Sequence, residues 1–154
     1  MAQATDKPII VYNVPSRTGT KVSVNTIVRL AHDFENIVAI KEADGDMIVA
    51  MKMIQYTPKE FLVISGDDAI ALPMTLAGGA GVISVIGQAI AQDFSDMIRY
   101  ALNGDVAEAY ELHYKISPCI DMIFEQGNPT GIKALLNQMD ICEAGVRLPL
   151  VQAD

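Results

Sequence analysis

Apolar positions along the chain fall into short unbroken runs separated by longer periodic stretches. PIIVYNV (8–14), NIVAIK (36–41), FLVIS (61–65) and GVISVIG (81–87) are β-branched or aliphatic almost throughout. Runs of that length without polar alternation predict parallel strands covered on both faces. Between them the period changes. Ile27, Leu30, Ala31 and Phe34 recur at helical spacing, as do Met47, Ala50, Met51 and Ile54, and later Phe94, Met97, Ile98, Ala101 and Leu102. A further helix, interrupted by its proline, is predicted over DAIALPMTLAGG. Strand and helix therefore alternate four times within 1–104, an α/β chain with right-handed βαβ crossovers. Residues 105–154 contain no strand pattern and predict two or three packed helices, with Pro118 and Pro129 as breakers.

Composition narrows the class. Of 154 residues, 51% are hydrophobic and 19% charged, enough apolar side chain for a real core. The net charge of -8 argues against nucleic acid or an anionic membrane as partner, because both select basic faces. No run approaches the roughly 20 apolar residues of a membrane span. The leading MAQATDK has no apolar signal core, so a soluble, cytoplasmic protein is expected. Cys119 and Cys142 match no metal or redox spacing and read as free, buried thiols. His32 and His113 stand in helical patterns and read as surface or boundary residues.

In parallel α/β folds the chemistry sits at the carboxyl ends of the strands. Those ends carry Tyr12 with the loop to Arg17, then Lys41-Glu42, Ser65-Gly66-Asp67-Asp68 and Ile83-Ser84. A lysine, a tyrosine and an arginine on one face suit Schiff-base chemistry on an oxo acid. A lysine desolvated by apolar neighbours offers more neutral amine as nucleophile, and a phenol can relay the protons that imine formation needs. Arginine holds a carboxylate through paired hydrogen bonds. Each residue also has an ordinary reading: Lys41 as a surface cation paired to Glu42, Tyr12 as core, Arg17 as a solvated loop charge. Asp67-Asp68 reads as a helix cap. Gly78-Gly79-Ala80-Gly81 reads as a weak phosphate cradle or as close helix–strand packing.

Taken together, YNVPSRTG, IKEADGD, GDD and GGAGVISV, in this order and spacing, closely resemble the second half of the dihydrodipicolinate synthase group of pyruvate-dependent class I aldolases. N-acetylneuraminate lyase belongs to the same family. The resemblance runs from about Thr5 to about Leu136. It implies the second half of a TIM (β/α)8 barrel, four β/α units, followed by a C-terminal helical appendage. It implies that Lys41 forms a Schiff base with pyruvate and that Tyr12 donates and accepts protons. Arg17 would face the carboxylate of a second substrate, aspartate semialdehyde, and Ile83 would line the pyruvate site through its main chain. No cofactor is implied. The reaction is a step toward lysine and diaminopimelate. A keto-sugar-acid aldolase is the alternative activity, against which Arg17 speaks, and a catalytically inactive half barrel is the alternative class.

The family is about twice this length, and nothing in the chain matches the threonine pair that binds the pyruvate carboxylate. The leading residues read as the tail of a preceding helix. Two unpaired sheet edges and an uncovered face predict association with a complementary N-terminal half or self-association as a homo-oligomer.

Overall fold

The computed structural model describes residues 2–154. The chain divides into two compact units, one running to Ile83 and one from Ser84 to Asp154. The first is built on a parallel sheet of three strands in the order β1 (Ile9–Asn13), β2 (Ile37–Glu42), β3 (Leu62–Ser65). Helix α1 (Pro15–Thr18) follows β1 at once, then α2 (Val24–Asp33) leads to β2. Helix α3 (Met47–Tyr56) joins β2 to β3, and α4 (Ala71–Leu76) follows β3.

The expected fourth strand is reduced to a bridge. Val82 pairs in parallel with Ser65, flanked by Ala80 N–H to Val63 O (2.8 Å) and Ile83 N–H to Ser65 O (2.9 Å). The backbone of 80–83 thus follows β3 but is too short to form a ladder, and no further strand pairs with it among the described residues.

Helix starts are set by side chains the sequence supplies. Ser23 Oγ accepts from Thr26 N–H (3.1 Å) at the head of α2, and Asp46 Oδ1 accepts from Ile48 and Val49 N–H (2.9 and 3.2 Å) at the head of α3. Each such cap stabilises by about 1 kcal/mol. Pro73 does not interrupt α4. It lies in the first turn, where its missing N–H would have had no helical partner. The helices cover one sheet face, and Ile27, Ile37, Ile40, Ala50, Met53, Phe61, Val63 and Met74 form the core there. In α2 the expected face is the one that packs. In α3, Met47, Ala50 and Ile54 pack as expected and Met53 joins them, whereas Met51 is exposed.

The second unit is helical: α5 (Ala91–Asn103), α6 (Val106–Glu125) and α7 (Thr130–Gln138), with α5 packed on α6 and α6 on α7. Phe94, Met97, Ile98 and Ala101 are buried as the spacing predicts, but Leu102 is exposed. Pro118 does not break α6. The Tyr114 carbonyl that it leaves without a backbone donor faces the Ser117 hydroxyl at 3.5 Å, and buried Ile116, Ile120 and Ile123 anchor the helix on both sides. Pro129 does mark a boundary, as the residue before α7. The cysteines are free but not buried: Cys119 is half-buried and Cys142 exposed. His32 is exposed and His113 half-buried. No helix among the described residues is long and apolar enough to cross a membrane.

Candidate active site

Strand pairing decides which side chains share a face. Tyr12 lies opposite Lys41, and Lys41 opposite Ile64, so the three form one row across the sheet. Ile10, Ala39 and Leu62 form the row behind it, one pleat earlier on the same face. Residues alternate sides, so Asn13, Glu42 and Ser65 end the same strands on the helix-covered face, and all three are buried.

The tyrosine and lysine meet. Lys41 Nζ stands 4.4 Å from the centroid of the Tyr12 ring, a distance suited to attraction between a cation and an aromatic face. Lys41 is half-buried rather than enclosed, since the face it stands on is open in this chain. Ile10, Tyr12, Leu62 and Ile83 are 49%, 52%, 45% and 44% exposed. Tyr12 is therefore not a core aromatic.

A wall for the lysine stem comes from β3. A Cβ at Gly66 would lie 2.7 Å from Ala43 Cβ, 3.0 Å from Lys41 Cε and 3.1 Å from Lys41 Cγ. Only a residue without a side chain lets the backbone after β3 lie against Lys41 in this way.

Arg17 is exposed on α1, the turn that follows β1. Pro15 starts that turn with its preset φ, and Gly19 ends it at φ 67, so the arginine is held at the carboxyl end of the sheet. Ile83 occupies the same end, immediately after the Ser65–Val82 bridge. The structure thus brings Tyr12 and Lys41 into contact and places Arg17 and Ile83 at the same end of the strands.

Glu42 is not the partner of Lys41. Its carboxylate lies on the opposite face, where Asn13 Nδ2 donates to Oε1 (2.8 Å) and Oε2 (2.9 Å), and Asp44 N–H donates to Oε1 (2.8 Å). Burial pushes its pKa up, opposed by the hydrogen bonds from Asn13 and Asp44. The sequence signal was available: a residue next to Lys41 on a strand must point the other way. Asp67 Oδ1 accepts from Ala69 N–H (2.9 Å), a turn bond just ahead of α4, whose N-cap is Ile70 with no side-chain cap bond, so Asp67-Asp68 is not the helix cap the sequence predicts. At Gly79 a Cβ would come within 2.7 Å of Met74 O, so that glycine serves close helix packing.

The profile of the dihydrodipicolinate synthetase family matches residues 1–154. The chain belongs to this family. It is 55% identical over its full length to the 4-hydroxy-tetrahydrodipicolinate synthase of Flavobacterium psychrophilum, of which it covers 53%. The crystal structure of dihydrodipicolinate synthase from Aquifex aeolicus superposes with a TM-score of 0.96 at 39% identity, over 99% of this chain and 52% of that one. The chloride-inhibited enzyme from Acinetobacter baumannii, complexed with pyruvate, superposes at 0.95 with 37% identity, again over 99% of this chain and 52% of the other. The chain spans about half the length of the relatives it matches.

Proposed function

We propose that this chain is the Schiff-base half of a lyase that condenses pyruvate with aspartate semialdehyde, in lysine and diaminopimelate biosynthesis in the cytoplasm. In this reading the sheet of the first unit is one half of an eight-stranded barrel. Residues 1–104 supply its four β/α units and 105–154 the helical appendage. The observation that carries the proposal is the contact between Lys41 and Tyr12 at the carboxyl end of a parallel sheet.

The chemistry follows from the two side chains. The neutral amine of Lys41 attacks the keto carbon of pyruvate, and the carbonyl oxygen takes a proton. Loss of that oxygen as water leaves an imine whose nitrogen is that of Lys41. The imine nitrogen takes a proton and the methyl group loses one, giving an enamine whose carbon attacks the aldehyde of the second substrate. The aldehyde oxygen takes a proton, and addition of that substrate's own amine to the re-formed iminium carbon frees the Lys41 amine. Each step needs a proton donor or acceptor, the role we assign to the phenol of Tyr12. Arg17, on the turn after β1, is assigned to the carboxylate of aspartate semialdehyde, since a guanidinium binds such a group through two parallel hydrogen bonds. Ile83 is assigned to the wall of the pyruvate site. Pyruvate is bound by a relative of the same fold at 37% identity, which supports the choice of oxo acid.

The test is reductive trapping. The chain, co-expressed with a complementary N-terminal half, is incubated with pyruvate and borohydride, and the adduct is mapped by mass spectrometry. The expected site is Lys41. An adduct on Lys52 or Lys133, or none at all, removes the assignment.

A further inference from the structure

Directly behind the Tyr12–Lys41 pair, one residue further along the same two strands, Asn13 and Glu42 face each other in the buried layer. They are 1% and 0% exposed and joined by two hydrogen bonds. The pair also reaches both adjoining loops. Val22 N–H donates to Asn13 Oδ1 (3.1 Å), and Asp44 N–H donates to Glu42 Oε1 (2.8 Å). Lys21, beside Val22, forms an ion pair with Asp44, so the same two loops are tied again in solvent.

We propose that Asn13 and Glu42 are positioning residues that fix the strand ends of β1 and β2 so that the Tyr12 hydroxyl and the Lys41 amine meet one substrate. The inference rests on the Schiff-base reading of Lys41. Neither residue touches substrate: both lie on the helix-covered face. Their specificity comes from donor and acceptor count. Val22 N–H fixes the carbonyl end of the Asn13 amide, so Nδ2 must face Glu42. A carboxylate accepts from that NH2 group on both oxygens and still takes the Asp44 N–H. An amide in its place would set NH2 against NH2, and removing a partner from a buried polar pair leaves the other unsatisfied. Because β1 and β2 run side by side with Tyr12 opposite Lys41, any slip between Asn13 and Glu42 becomes a slip between the two reactive groups.

The complement can be inverted. With Asn13→Asp and Glu42→Gln together, the new carboxylate accepts from Val22 N–H and from the new amide, whose carbonyl takes the Asp44 N–H. Four proteins are compared, each with the complementary half: the unsubstituted chain, Asn13→Asp, Glu42→Gln and the double variant. The readout is the rate of borohydride-fixed pyruvate adduct on Lys41 across pyruvate concentration. Each single substitution is expected to lower the maximal rate by on the order of 10²-fold, as a misplacement of about 1 Å does, with little change in half-saturating pyruvate. The double variant is expected to recover most of that loss. Single variants that react at the unsubstituted rate overturn the proposal. So does a double variant that is as slow as the singles or does not fold. If the unsubstituted protein traps no pyruvate, the Schiff-base reading itself falls, and the positioning role with it.

Discussion

Lys41 Nζ rests 4.4 Å from the centroid of the Tyr12 ring, held there by strands that pair these two residues directly. The contact is with the ring, whereas the chemistry assigned to Tyr12 belongs to its hydroxyl. The two can be separated. In Tyr12→Phe the ring remains to pack on the lysine, so the thermal midpoint should hardly move. The condensation rate should fall by about 10²–10⁴-fold, the usual contribution of a positioned proton-transfer group. Unchanged turnover in the assembled enzyme would show the hydroxyl to be structural only.

Gly66 provides a test on the other side of the lysine. In Gly66→Ala the added methyl would stand 2.7 Å from Ala43 Cβ and 3.0 Å from Lys41 Cε. Overpacking of this kind costs roughly 1–3 kcal/mol, and the flexible lysine stem is the part most free to yield. Adduct formation on Lys41 should therefore slow more than the loss of stability accounts for. Denaturant unfolding and trapping measured on the same sample separate the two effects.

Why these features were legible to different degrees follows from what each depends on. The apolar runs at 37–40 and 61–64 announce strands because nothing in them is polar, and the α2 face appears because Ile27, Leu30, Ala31 and Phe34 recur at one period. Pro73 and Pro118 misled because the effect of a proline depends on its helical position and on local donors such as Ser117 Oγ. The strand at 81–87 shrank to one bridge because strand formation needs a partner on the far side, which local sequence does not reveal. Adjacency makes Glu42 the ordinary partner for Lys41. The pleat sends them to opposite faces, and the true partner of Glu42 lies 29 positions away at Asn13.

Glu42 also makes a prediction about pH. Burial raises its folded-state pKa above the ordinary value of 4.5, so the ionised form is the one that folding disfavours. Its contribution to stability is then fully present below the unfolded pKa and is lost as pH rises through the folded one. Asn13, the Asp44 N–H and the charge of Lys21 oppose the rise, whereas the charge of Asp44 adds to it. Urea unfolding of the unsubstituted chain and of Glu42→Gln should show the unsubstituted chain losing ground to the variant as pH increases above the carboxylate range. A difference that stays constant with pH, or runs the other way, would mean that Glu42 does not titrate as its burial implies. If the difference grows with pH as expected, the same carboxylate costs stability while fixing geometry, a combination common where function demands a buried charge.

The open sheet face leads to the last prediction. Ile10, Tyr12, Leu62 and Ile83 present apolar surface on the side that carries Lys41, and the backbone at 80–83 pairs only with β3 among the described residues. Contiguous apolar surface beside an unpaired edge drives association. The 154-residue chain by itself is therefore expected to self-associate. With Lys41 half-buried and its face uncovered, water reaches the place where the proposed imine would form, so the chain alone should turn over slowly. Co-expression with a complementary half should convert it to a discrete assembly and restore the rate. Sedimentation velocity and a coupled assay on the same preparations decide the matter. A monomer that condenses both substrates at a kcat of roughly 1–10³ s⁻¹, the range of ordinary enzymes, would show that three strands and one bridge suffice for the chemistry.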